Sequence, residues 1–511
     1  MNLFEAIFAH DLTAPAIHFA GRDISYGELQ SKTLQMAAAI TSLGVQRGDR
    51  VALLLHDSPE FVEAFIATCS LGAIAVPINM ALRAEEQCSI LHNCSATLAL
   101  VEPEVRSSFA THAPEKLRAL KKMVSLDSLP RSTPAPGSIE FPAPSDDEPA
   151  FILYTSGSTG EPKGAMHRQA DIFYTNQTYC REVLNVKPND RLFSSSRLPF
   201  AYGLGNTFTF PLLNGATSIL CREKPSPDVI ARTFAECRPT IFFGVPVIYN
   251  LLLEHHRHKE PLDCSSLRLC ISAGEALPAH LGEEWERTFG VQLLDGIGST
   301  EMLHMFMSNH ENEVRYGSSG KLLDGYRARL VDENGEATPD DVEGNLWIKG
   351  DSAALGYWEK PEQSASTFVD GWVRTGDLYR RDSEGFWFHM GRSDDCFKSS
   401  GQWVSPVEVE GVLLRHPRVA RAAVVEDFDA GGLPCPCAFV VAQGLESDSN
   451  GLEQDLRASL AAALPRFKQP RRYVFVSELP YTATGKIQRF KLRQSLRATD
   501  LHGKHGQVDY M

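Results

Sequence analysis

Residues 154–167, YTSGSTGEPKGAMH, concentrate hydroxyl groups, glycines and one lysine in a short loop. Hydroxyls, bare backbone amides and an ammonium group together supply the donors that a polyphosphate needs. The loop is not a Walker motif, because Glu161 and Pro162 separate Gly160 from the lysine. The candidate phosphate-binding residues are Thr155, Ser156, Gly157, Ser158, Thr159, Gly160 and Lys163.

A surface linker is the alternative explanation of a run rich in Ser, Gly and Thr. The apolar sequence FILY at 151–154 predicts a buried strand directly before the loop, so that the loop would leave a sheet edge. A linker also gains nothing from the sequence Pro162-Lys163-Gly164 that follows. Both features favour phosphate binding.

The segments around this loop alternate between helical and strand-like patterns, which predicts mainly parallel sheets covered by helices. In the first 125 residues the alternation is YGELQSKTLQMAAAITSLG (helix), DRVALLL (strand), PEFVEAFIATCSLG (helix) and AIAVPIN (strand). A loop rich in Pro, Ser and Asp follows at 130–149, and the alternation resumes after the phosphate loop. Short strands with Gly turns predict a small β-rich unit at 317–388, and the sequence beyond residue 391 is long enough for a separate domain.

Composition and charge exclude several classes of function. The chain has 511 residues, 43% of them hydrophobic and 22% charged, which is typical of a globular protein of roughly two to four domains or subdomains. A net charge of −14 argues against nucleic acid and anionic membrane as the main partners, since both attract basic surfaces. The N-terminus lacks the basic head of a secretory signal, and the eleven cysteines suit reduced thiols, so we expect a cytoplasmic protein.

Six motifs with chemical potential follow one another along the chain. After the glycine-rich loop come SAGEAL (272–277), GIGSTEM (296–302), TGD (375–377), GRSDD (391–395) and PYTATGK (480–486). With these motifs in this order, the chain resembles the adenylate-forming superfamily, which includes acyl- and aryl-CoA ligases, peptide-synthetase adenylation domains and luciferase. The resemblance implies an α/β fold in which residues 1–393 form a large ATP- and acid-binding domain with two α/β-sheet subdomains and a small β unit. Residues 394–511 would form a small, mobile α+β domain that carries the catalytic lysine.

The resemblance implies an enzyme that joins a carboxylic acid to AMP, releases pyrophosphate and then passes the acyl group to a thiol. The attack brings an anion onto an anionic phosphate, so it needs a metal, cations and fixed donors. Lys486 would bridge the carboxylate and phosphate oxygens, Thr300 would bond the α-phosphate, and Glu301 would hold Mg²⁺. The other implied ATP-binding residues are Ala273, Gly274, Glu275, Asp295, Gly296 and Ile297 around the adenine, with Asp377 and Arg392 at the ribose.

Three segments resemble benzoate–CoA ligases and their close aryl relatives more specifically: SSRLPFAYGLGN (195–206), DGIGSTEMLHMFMSN (295–309) and SGQWVSPVEVE (400–410). This implies that the acid is benzoate or a small substituted benzoate. Small Ala and Gly faces would leave a flat slot for the ring, while Tyr and Met offer aromatic and thioether contacts. The implied pocket residues are Ala201, Tyr202, Gly203, Gly298, His304 and Met305.

In this superfamily the C-terminal domain swings between the two half-reactions. The resemblance therefore implies Asp394 as the hinge, and Ser400, Gly401, Trp403 and Phe467 as residues of the coenzyme A channel. Two alternatives stay open: an adenylation enzyme that loads an aryl group onto a carrier-protein thiol, and a nucleotide-binding sensor without turnover. Retention of Lys486, Glu301 and Thr300 argues against the sensor. We expect a monomer or a homodimer.

Overall fold

The computed structural model of the chain describes residues 2–105, 109, 119–130, 133–135, 137–156, 162–400, 402–429, 431–443, 449–481 and 487–502. The strands are β1 (Pro15–Phe19), β2 (Arg22–Ser25), β3 (Arg50–Leu54), β4 (Ile74–Pro77), β5 (Leu98–Val101), β6 (Lys122–Ser125), β7 (Phe151–Ser156), β8 (Pro162–His167), β9 (Arg191–Ser194), β10 (Thr217–Ile219), β11 (Ile241–Gly244), β12 (Leu269–Ser272), β13 (Leu293–Gly298), β14 (Met305–Ser308), β15 (Lys321–Leu322), β16 (Arg327–Val331), β17 (Gly344–Lys349), β18 (Phe368–Val369), β19 (Trp372–Arg381), β20 (Trp387–Arg392), β21 (Phe397–Ser399), β22 (Gln402–Val404), β23 (Val419–Phe428), β24 (Pro434–Ala442) and β25 (Arg472–Phe475).

The α-helices span Leu3–Ile7, Tyr26–Ser42, Pro59–Ser70, Ala84–Asn93, Gln169–Thr175, Ala201–Leu204, Phe210–Leu213, Pro227–Cys237, Pro246–His258, Ala279–Phe289, Pro361–Thr367, Pro406–Leu413, Ser449–Ala463 and Arg489–His502. Single 3₁₀ turns lie at Leu126–Ser128, Thr300–Met302 and Arg466–Lys468, and π-helical segments at Asn176–Leu184 and Gly205–Thr209. Within the described ranges, no helix combines the length and the apolar character that a membrane crossing requires.

Two large sheets form the main body of the chain. The first has six strands in the order β6-β5-β3-β4-β7-β8, parallel except for the antiparallel edge pair β7–β8. The second has nine strands in the order β15-β14-β13-β12-β11-β9-β10-β1-β2, with a parallel centre and antiparallel pairs at both ends. The predicted strand–helix alternation and mainly parallel sheets are confirmed. The first hairpin, β1–β2, joins the second sheet although the strands that follow it build the first.

A buried helix joins the two sheets. In the helix Pro59–Ser70 all residues except Glu60 are buried, and the hydroxyl of Ser58 caps its start by accepting from the Phe61 amide. Because buried positions lie on every side of it, the helix is an interior element, although Glu63, Thr68 and Ser70 are among them. The ring of Phe65 lies 5.4 Å from Phe151 in the first sheet and 5.2 Å from Phe208, which follows β9 of the second. These residues belong to a hydrophobic cluster that the two sheets share.

Three smaller sheets complete the chain. Strands β16 to β20 form a five-stranded antiparallel sheet, as the predicted β-rich unit requires. Beyond it, β21 and β22 form a hairpin, and β23-β24-β25 form a three-stranded sheet packed with helices. The helices and strands expected beyond residue 391 occur where their patterns predict them.

Candidate active site

The glycine-rich loop lies in the chain between β7 and the edge strand β8 of the first sheet. The predicted strand before the loop is β7, and the chain returns along β8, where Lys163 lies opposite Thr155. The Lys163 ammonium lies 5.5 Å from the ring centre of Tyr357. The predicted residues Gly157, Ser158, Thr159 and Gly160, together with the side chain of Ser156, lie outside the described residues.

Neighbouring strands of the second sheet bring the next two motifs together. Ser272 at the end of β12 pairs with Asp295 in β13, so the carboxyl ends of these parallel strands share one edge. Such an edge is the usual ligand site of an open α/β sheet. The predicted adenine residues Ala273, Gly274 and Glu275 follow β12, whereas Asp295, Gly296 and Ile297 lie within β13. Gly274 has a φ of +93°, a left-handed conformation that favours glycine.

A buried carboxyl group links these two motifs. The Leu277 amide donates to Oδ2 of Asp295 at 3.4 Å, and the side chain of Asp295 is almost inaccessible. Burial raises the pKa of Asp295 well above its usual range, against the opposing effect of its hydrogen-bond donors. The shift favours the protonated form of this carboxyl group, which can donate as well as accept a hydrogen bond.

Thr300 and Glu301 lie on the single 3₁₀ turn Thr300–Met302, which follows β13 directly. The Ser299 hydroxyl caps this turn by accepting from the Met302 amide. Tyr357 donates from its hydroxyl to Oε1 of Glu301 at 2.7 Å. Burial, and then the negative charge of Glu301, raises the pKa of Tyr357, so its hydroxyl remains a donor.

Asp377 and Arg392 face each other across the antiparallel strands β19 and β20. Nη1 of Arg392 lies 3.1 Å from Oδ1 of Asp377. Gly376, with a φ of +75°, leaves room for the guanidinium, because a Cβ there would lie 2.7 Å from Nη2. Burial alone would lower the pKa of Arg392, but Asp377, Asp394 and Glu301 together raise it. The predicted ribose residues therefore lie within electrostatic range of the predicted metal ligand.

Aromatic rings surround His304. Its ring centre lies 5.2 Å from that of Tyr179, 5.8 Å from that of Tyr202 and 4.6 Å from that of Phe210. Nε2 lies 3.1 Å from Oδ1 of Asn206, and burial lowers the pKa of His304 to about 3. The ring is therefore neutral at physiological pH, and Asn206 holds the proton on Nε2.

Close backbone contacts explain the glycines of the predicted aryl pocket. A Cβ on Gly203, in the helix Ala201–Leu204 that also carries Ala201 and Tyr202, would lie 2.1 Å from the Arg197 carbonyl oxygen. A Cβ on Gly298 would lie 2.4 Å from the His304 carbonyl oxygen. Met305 is buried at the start of β14, with its sulfur against Gly296. The six predicted pocket residues therefore belong to two touching segments.

Comparison with known proteins agrees with this arrangement. Residues 4–358 match the family described as AMP-binding enzyme, and residues 408–486 match the AMP-binding enzyme C-terminal domain. The chain belongs to this family. The predicted resemblance to adenylate-forming enzymes is therefore confirmed.

Individual relatives of this AMP-binding enzyme are similar over nearly its whole length. A benzoate–CoA ligase of Thauera aromatica is 42% identical over 92% of this chain and 90% of its own. A solved anthranilate CoA ligase in complex with anthranoyl-AMP aligns with a TM-score of 0.93 at 36% identity, covering 98% of both chains. A solved benzoate CoA ligase from Burkholderia xenovorans LB400 aligns with a TM-score of 0.87 at 38% identity, covering 96% of this chain and all of the other. The predicted α/β fold class is thereby confirmed.

The C-terminal part of this AMP-binding enzyme carries the remaining predicted residues. Ser400 has a φ of +53° at the turn between β21 and β22, Phe467 lies on the 3₁₀ turn Arg466–Lys468, and Asp394 lies at the exposed junction after β20. Gly401, Lys486 and the side chain of Trp403 lie outside the described residues.

The described residues on the two sides of Lys486 pair with each other. Tyr481 and Ile487 form an antiparallel bridge, and the Gln488 amide donates to the Pro480 carbonyl at 2.8 Å. Burial raises the pKa of Tyr481, and the negative charge of Glu275 adds to the shift. Tyr481 therefore lies within electrostatic range of Glu275 in the predicted adenine segment.

An arginine with 14% of its side chain exposed supports the same junction. Nη2 of Arg489 lies 2.8 Å from both carboxylate oxygens of Glu410, and Nη1 lies 3.7 Å from Asp395. Burial would lower the pKa of Arg489, but Glu410, Asp395 and Glu275 raise it. The residue after the predicted hinge is thus paired with the helix that follows Lys486.

Sequence reasoning missed three residues that contact this site. Asn206 ends the segment 195–206, which resembles the aryl-CoA ligases. The signal that could have identified it was a polar amide among mainly apolar residues. His167 ends the phosphate-loop segment but carries no motif of its own. Tyr357 reaches Glu301 from 56 residues away, and nothing in its local sequence indicates this contact.

Proposed function

We propose that this protein is an ATP-dependent aryl-CoA ligase that adenylates benzoate or a small substituted benzoate and transfers the aroyl group to coenzyme A. The observation that carries the proposal is the continuity of residues 298–305. This short segment supplies the Thr300–Met302 turn, with its predicted phosphate and metal ligands, and also the histidine of the ring pocket. An acid with its ring beside His304 would therefore present its carboxylate to the α-phosphate.

The first half-reaction forms a bond between a carboxylate oxygen and the α-phosphorus and breaks the bond from that phosphorus to pyrophosphate. Both reactants are anionic, so fixed positive charge and donors must lower the barrier. Lys486 bridges the two anions, Thr300 donates to the α-phosphate, and Lys163 with the loop hydroxyls steadies the β- and γ-phosphates.

Mg²⁺ fits the residues present. No group of three or more His, Cys, Asp or Glu side chains lies close enough to hold a metal in the part of the chain that the structure describes. Mg²⁺ in nucleotide enzymes needs only one or two carboxylates, because phosphates and waters complete its shell. Glu301, oriented by Tyr357, supplies such a carboxylate. When bound, the ion would neutralise phosphate charge.

Separate groups of residues hold the ribose and the adenine of the nucleotide. Asp377, a fixed carboxylate, accepts from the two ribose hydroxyls, and Arg392 supports the same face. The segments at 273–275 and 295–297 frame the adenine.

The ring pocket favours a flat, uncharged ring. Its walls are Ala201, Tyr202, Gly203, Gly298 and Met305, with the neutral His304 at the centre of an aromatic cluster. The relatives named for benzoate and anthranilate support an aryl acid of this size.

The second half-reaction follows rotation of residues 394–511 about Asp394 relative to residues 1–393. The thiol of coenzyme A, after losing its proton to solvent, attacks the acyl carbonyl, and the acyl–phosphate bond breaks to release AMP. Ser400, Gly401, Trp403 and Phe467 line the channel for the thiol arm. ATP and coenzyme A are cytoplasmic metabolites, so we place the enzyme in the cytoplasm.

The test is a paired assay with ATP, Mg²⁺ and coenzyme A. Acid-dependent ATP–pyrophosphate exchange reports adenylation, and thioester appearance reports transfer. The acids are benzoate, its amino-, hydroxy- and halogen-substituted forms, and a medium-chain fatty acid as the non-aryl control. We expect exchange and thioester with the aryl acids and neither with the fatty acid. Exchange without thioester would assign the acceptor to a carrier protein, and the absence of exchange with every acid would refute the proposal.

A further inference from the structure

The turn that carries Thr300 and Glu301 is held by bonds from outside it. Nε2 of His167 lies 2.7 Å from the Thr300 carbonyl oxygen. The Ala354 amide donates to the Glu301 carbonyl at 2.8 Å, and the Ser352 hydroxyl donates to the Met302 carbonyl at 2.9 Å. All three carbonyls of the turn therefore accept a bond from another segment of the chain.

The histidine that holds Thr300 is itself fixed on its other side. Nδ1 of His167 lies 2.9 Å from Oδ2 of Asp171, and both side chains are completely inaccessible to solvent. The imidazole stacks on Phe151, with ring centres 5.3 Å apart and planes inclined by 21°. A carbonyl oxygen and a carboxylate oxygen can only accept, so with both bonds made the ring donates from Nε2 to Thr300 and from Nδ1 to Asp171. These two bonds fix the orientation of the ring.

The same carboxylate is also linked to a second segment that holds the turn. Asp171 accepts from Nε of Arg168 at 2.9 Å, and Nη2 of Arg168 donates to the carbonyl oxygens of Asp351 at 2.7 Å and Ala353 at 3.3 Å. Residues 351–354 are the segment that holds the Glu301 and Met302 carbonyls. One buried group, Asp171, therefore supports the turn through both His167 and Arg168.

A three-residue 3₁₀ turn has little stability of its own, because its hydrogen bonds are few and poorly aligned. Groups that act on a reacting phosphate must nevertheless stay within about 0.5 Å of their productive position. Such precision comes from residues behind the contacting side chains, and their loss typically reduces metal affinity or activity by about 10- to 100-fold.

We propose that His167, oriented by Asp171, is a positioning residue that fixes the Thr300–Met302 turn for adenylation. The inference rests on the proposed function, since that function assigns the turn to the α-phosphate and the metal. It predicts that loss of His167 slows adenylation more than transfer to the thiol. Adenylation needs the turn to hold both the α-phosphate and the metal of MgATP, whereas transfer from a preformed aryl adenylate to the thiol requires no metal–pyrophosphate complex.

The test compares two variants at one position. His167→Phe keeps a ring of similar shape against Phe151 but has no donor, and His167→Gln keeps a donor. We expect His167→Phe to lower kcat/KM for MgATP in acid-dependent pyrophosphate exchange by about 10- to 100-fold. KM for the aryl acid and the rate of thioester formation from supplied aryl adenylate should change less than about threefold. His167→Gln should restore part of the lost exchange.

His255→Phe is the matched control. His255 is also buried and also faces an aspartate, Asp228, at 3.4 Å, but it lies on the helix Pro246–His258, away from the turn. Its replacement should leave the ratio of exchange to transfer unchanged. An equal loss of both half-reactions in His167→Phe, or no loss in either, would overturn the proposal.

A second readout does not depend on turnover. The rise in Tm caused by MgATP, measured against the rise caused by ATP with EDTA, reports how well the turn supports the metal–nucleotide complex. We expect the Mg²⁺-dependent part of the rise to shrink in His167→Phe and to persist in His255→Phe. An unchanged Mg²⁺-dependent rise would contradict the positioning role. If none of the acids supports pyrophosphate exchange in the wild-type protein, the proposed function fails. The Mg²⁺-dependent rise in Tm still decides the role of His167 in that case.

Discussion

Tyr357 donates a hydrogen bond of 2.7 Å to Oε1 of Glu301 and places its ring 5.5 Å from the ammonium of Lys163. One aromatic side chain therefore contacts both the predicted metal ligand and the predicted phosphate-binding lysine. A carboxylate that must bind a hard cation in one orientation benefits from a donor on its other oxygen.

Tyr357→Phe removes the donor but keeps the ring beside Lys163. A hydrogen bond to a charged group contributes about 1.5–3 kcal/mol, so we expect the Mg²⁺ concentration for half-maximal exchange to rise about tenfold. The measurement is a Mg²⁺ titration of acid-dependent pyrophosphate exchange. KM for the aryl acid should not change, because the ring pocket is not touched.

Tyr316→Phe is the control for this substitution. The Tyr316 hydroxyl donates to Oε2 of Glu286, also at 2.7 Å, in a pair that contains no predicted site residue. Its loss should leave the Mg²⁺ titration unchanged. A similar shift in both variants would show that a general loss of stability, and not the orientation of Glu301, causes the effect.

Lys486→Ala separates the two half-reactions. The residues on either side of its segment, Tyr481 and Ile487, form a bridge, and the charge of Glu275 in the predicted adenine segment acts on Tyr481. Removing the lysine should reduce acid-dependent exchange by at least about 100-fold, because fixed charge at the reacting anions is lost. Thioester formation from supplied aryl adenylate should remain largely intact.

Lys491→Ala provides the comparison, since Lys491 is an exposed lysine on the helix that follows the same segment. Both half-reactions should proceed as in the wild-type protein. Equal loss of both steps in Lys486→Ala would refute the assignment of this lysine to the first step and, with it, the swinging-domain scheme.

The sequence predicted local elements well because their signals are local. The helix at 59–70 follows from an apolar run with Ser58 and Pro59 at its start, and the strand β7 from the run FILY. The resemblance to adenylate-forming enzymes implied that residues 273–275 and 295–297 share a site. In the structure the parallel strands β12 and β13 bring these two segments to one edge of a sheet.

Contacts between distant segments were not predictable in the same way. The hairpin β1–β2 joins the second sheet because β1 pairs with β10, some 200 residues away, and its own pattern is the same in either sheet. The π-helical segment Gly205–Thr209, which brings Asn206 to His304, has no sequence signature of its own. His167 and Tyr357 each reach the Thr300–Met302 turn through one hydrogen bond between residues distant in sequence.

Gly205→Ala tests the aryl pocket through the packing of His304. A Cβ at this position would lie 2.5 Å from Cδ2 and 2.7 Å from Nε2 of His304, and the surrounding rings leave the imidazole no free direction. Overpacking of this kind costs about 1–3 kcal/mol, so we expect KM for benzoate to rise about tenfold or more while KM for ATP stays unchanged. Initial rates over a matrix of benzoate and ATP concentrations measure both.

The control for this change is Gly411→Ala. Gly411 lies in the helix Pro406–Leu413, and a Cβ there would meet nothing within 4 Å. Alanine in a helix interior is more stable than glycine by about 0.5–1 kcal/mol, so this variant should be slightly stabilised and kinetically unchanged. If KM for both substrates rises in Gly205→Ala, the change has disturbed the whole site, and the specific contact with His304 is not the cause.

Asp57→Asn should make the stability of the protein less sensitive to pH. Burial raises the pKa of Asp57 from 3.8 to about 6, against the opposing effects of Arg197, the Leu198 amide and His56. Because the folded-state pKa is the higher one, the folded protein holds the extra proton in this window, and wild-type stability falls as the pH rises from about 4 to about 6.

The asparagine variant lacks this loss of stability, which amounts to roughly 3 kcal/mol at most. Urea unfolding of both proteins should therefore show that the free energy of unfolding of the variant rises relative to that of the wild type up to about pH 6. Above that pH the difference between the two should be constant. Asp11→Asn is the control, since hydrogen bonds from Thr13 lower the pKa of Asp11, which is the direction opposite to the shift at Asp57. A difference that shrinks with rising pH would mean that Arg197, 3.5 Å away, outweighs burial.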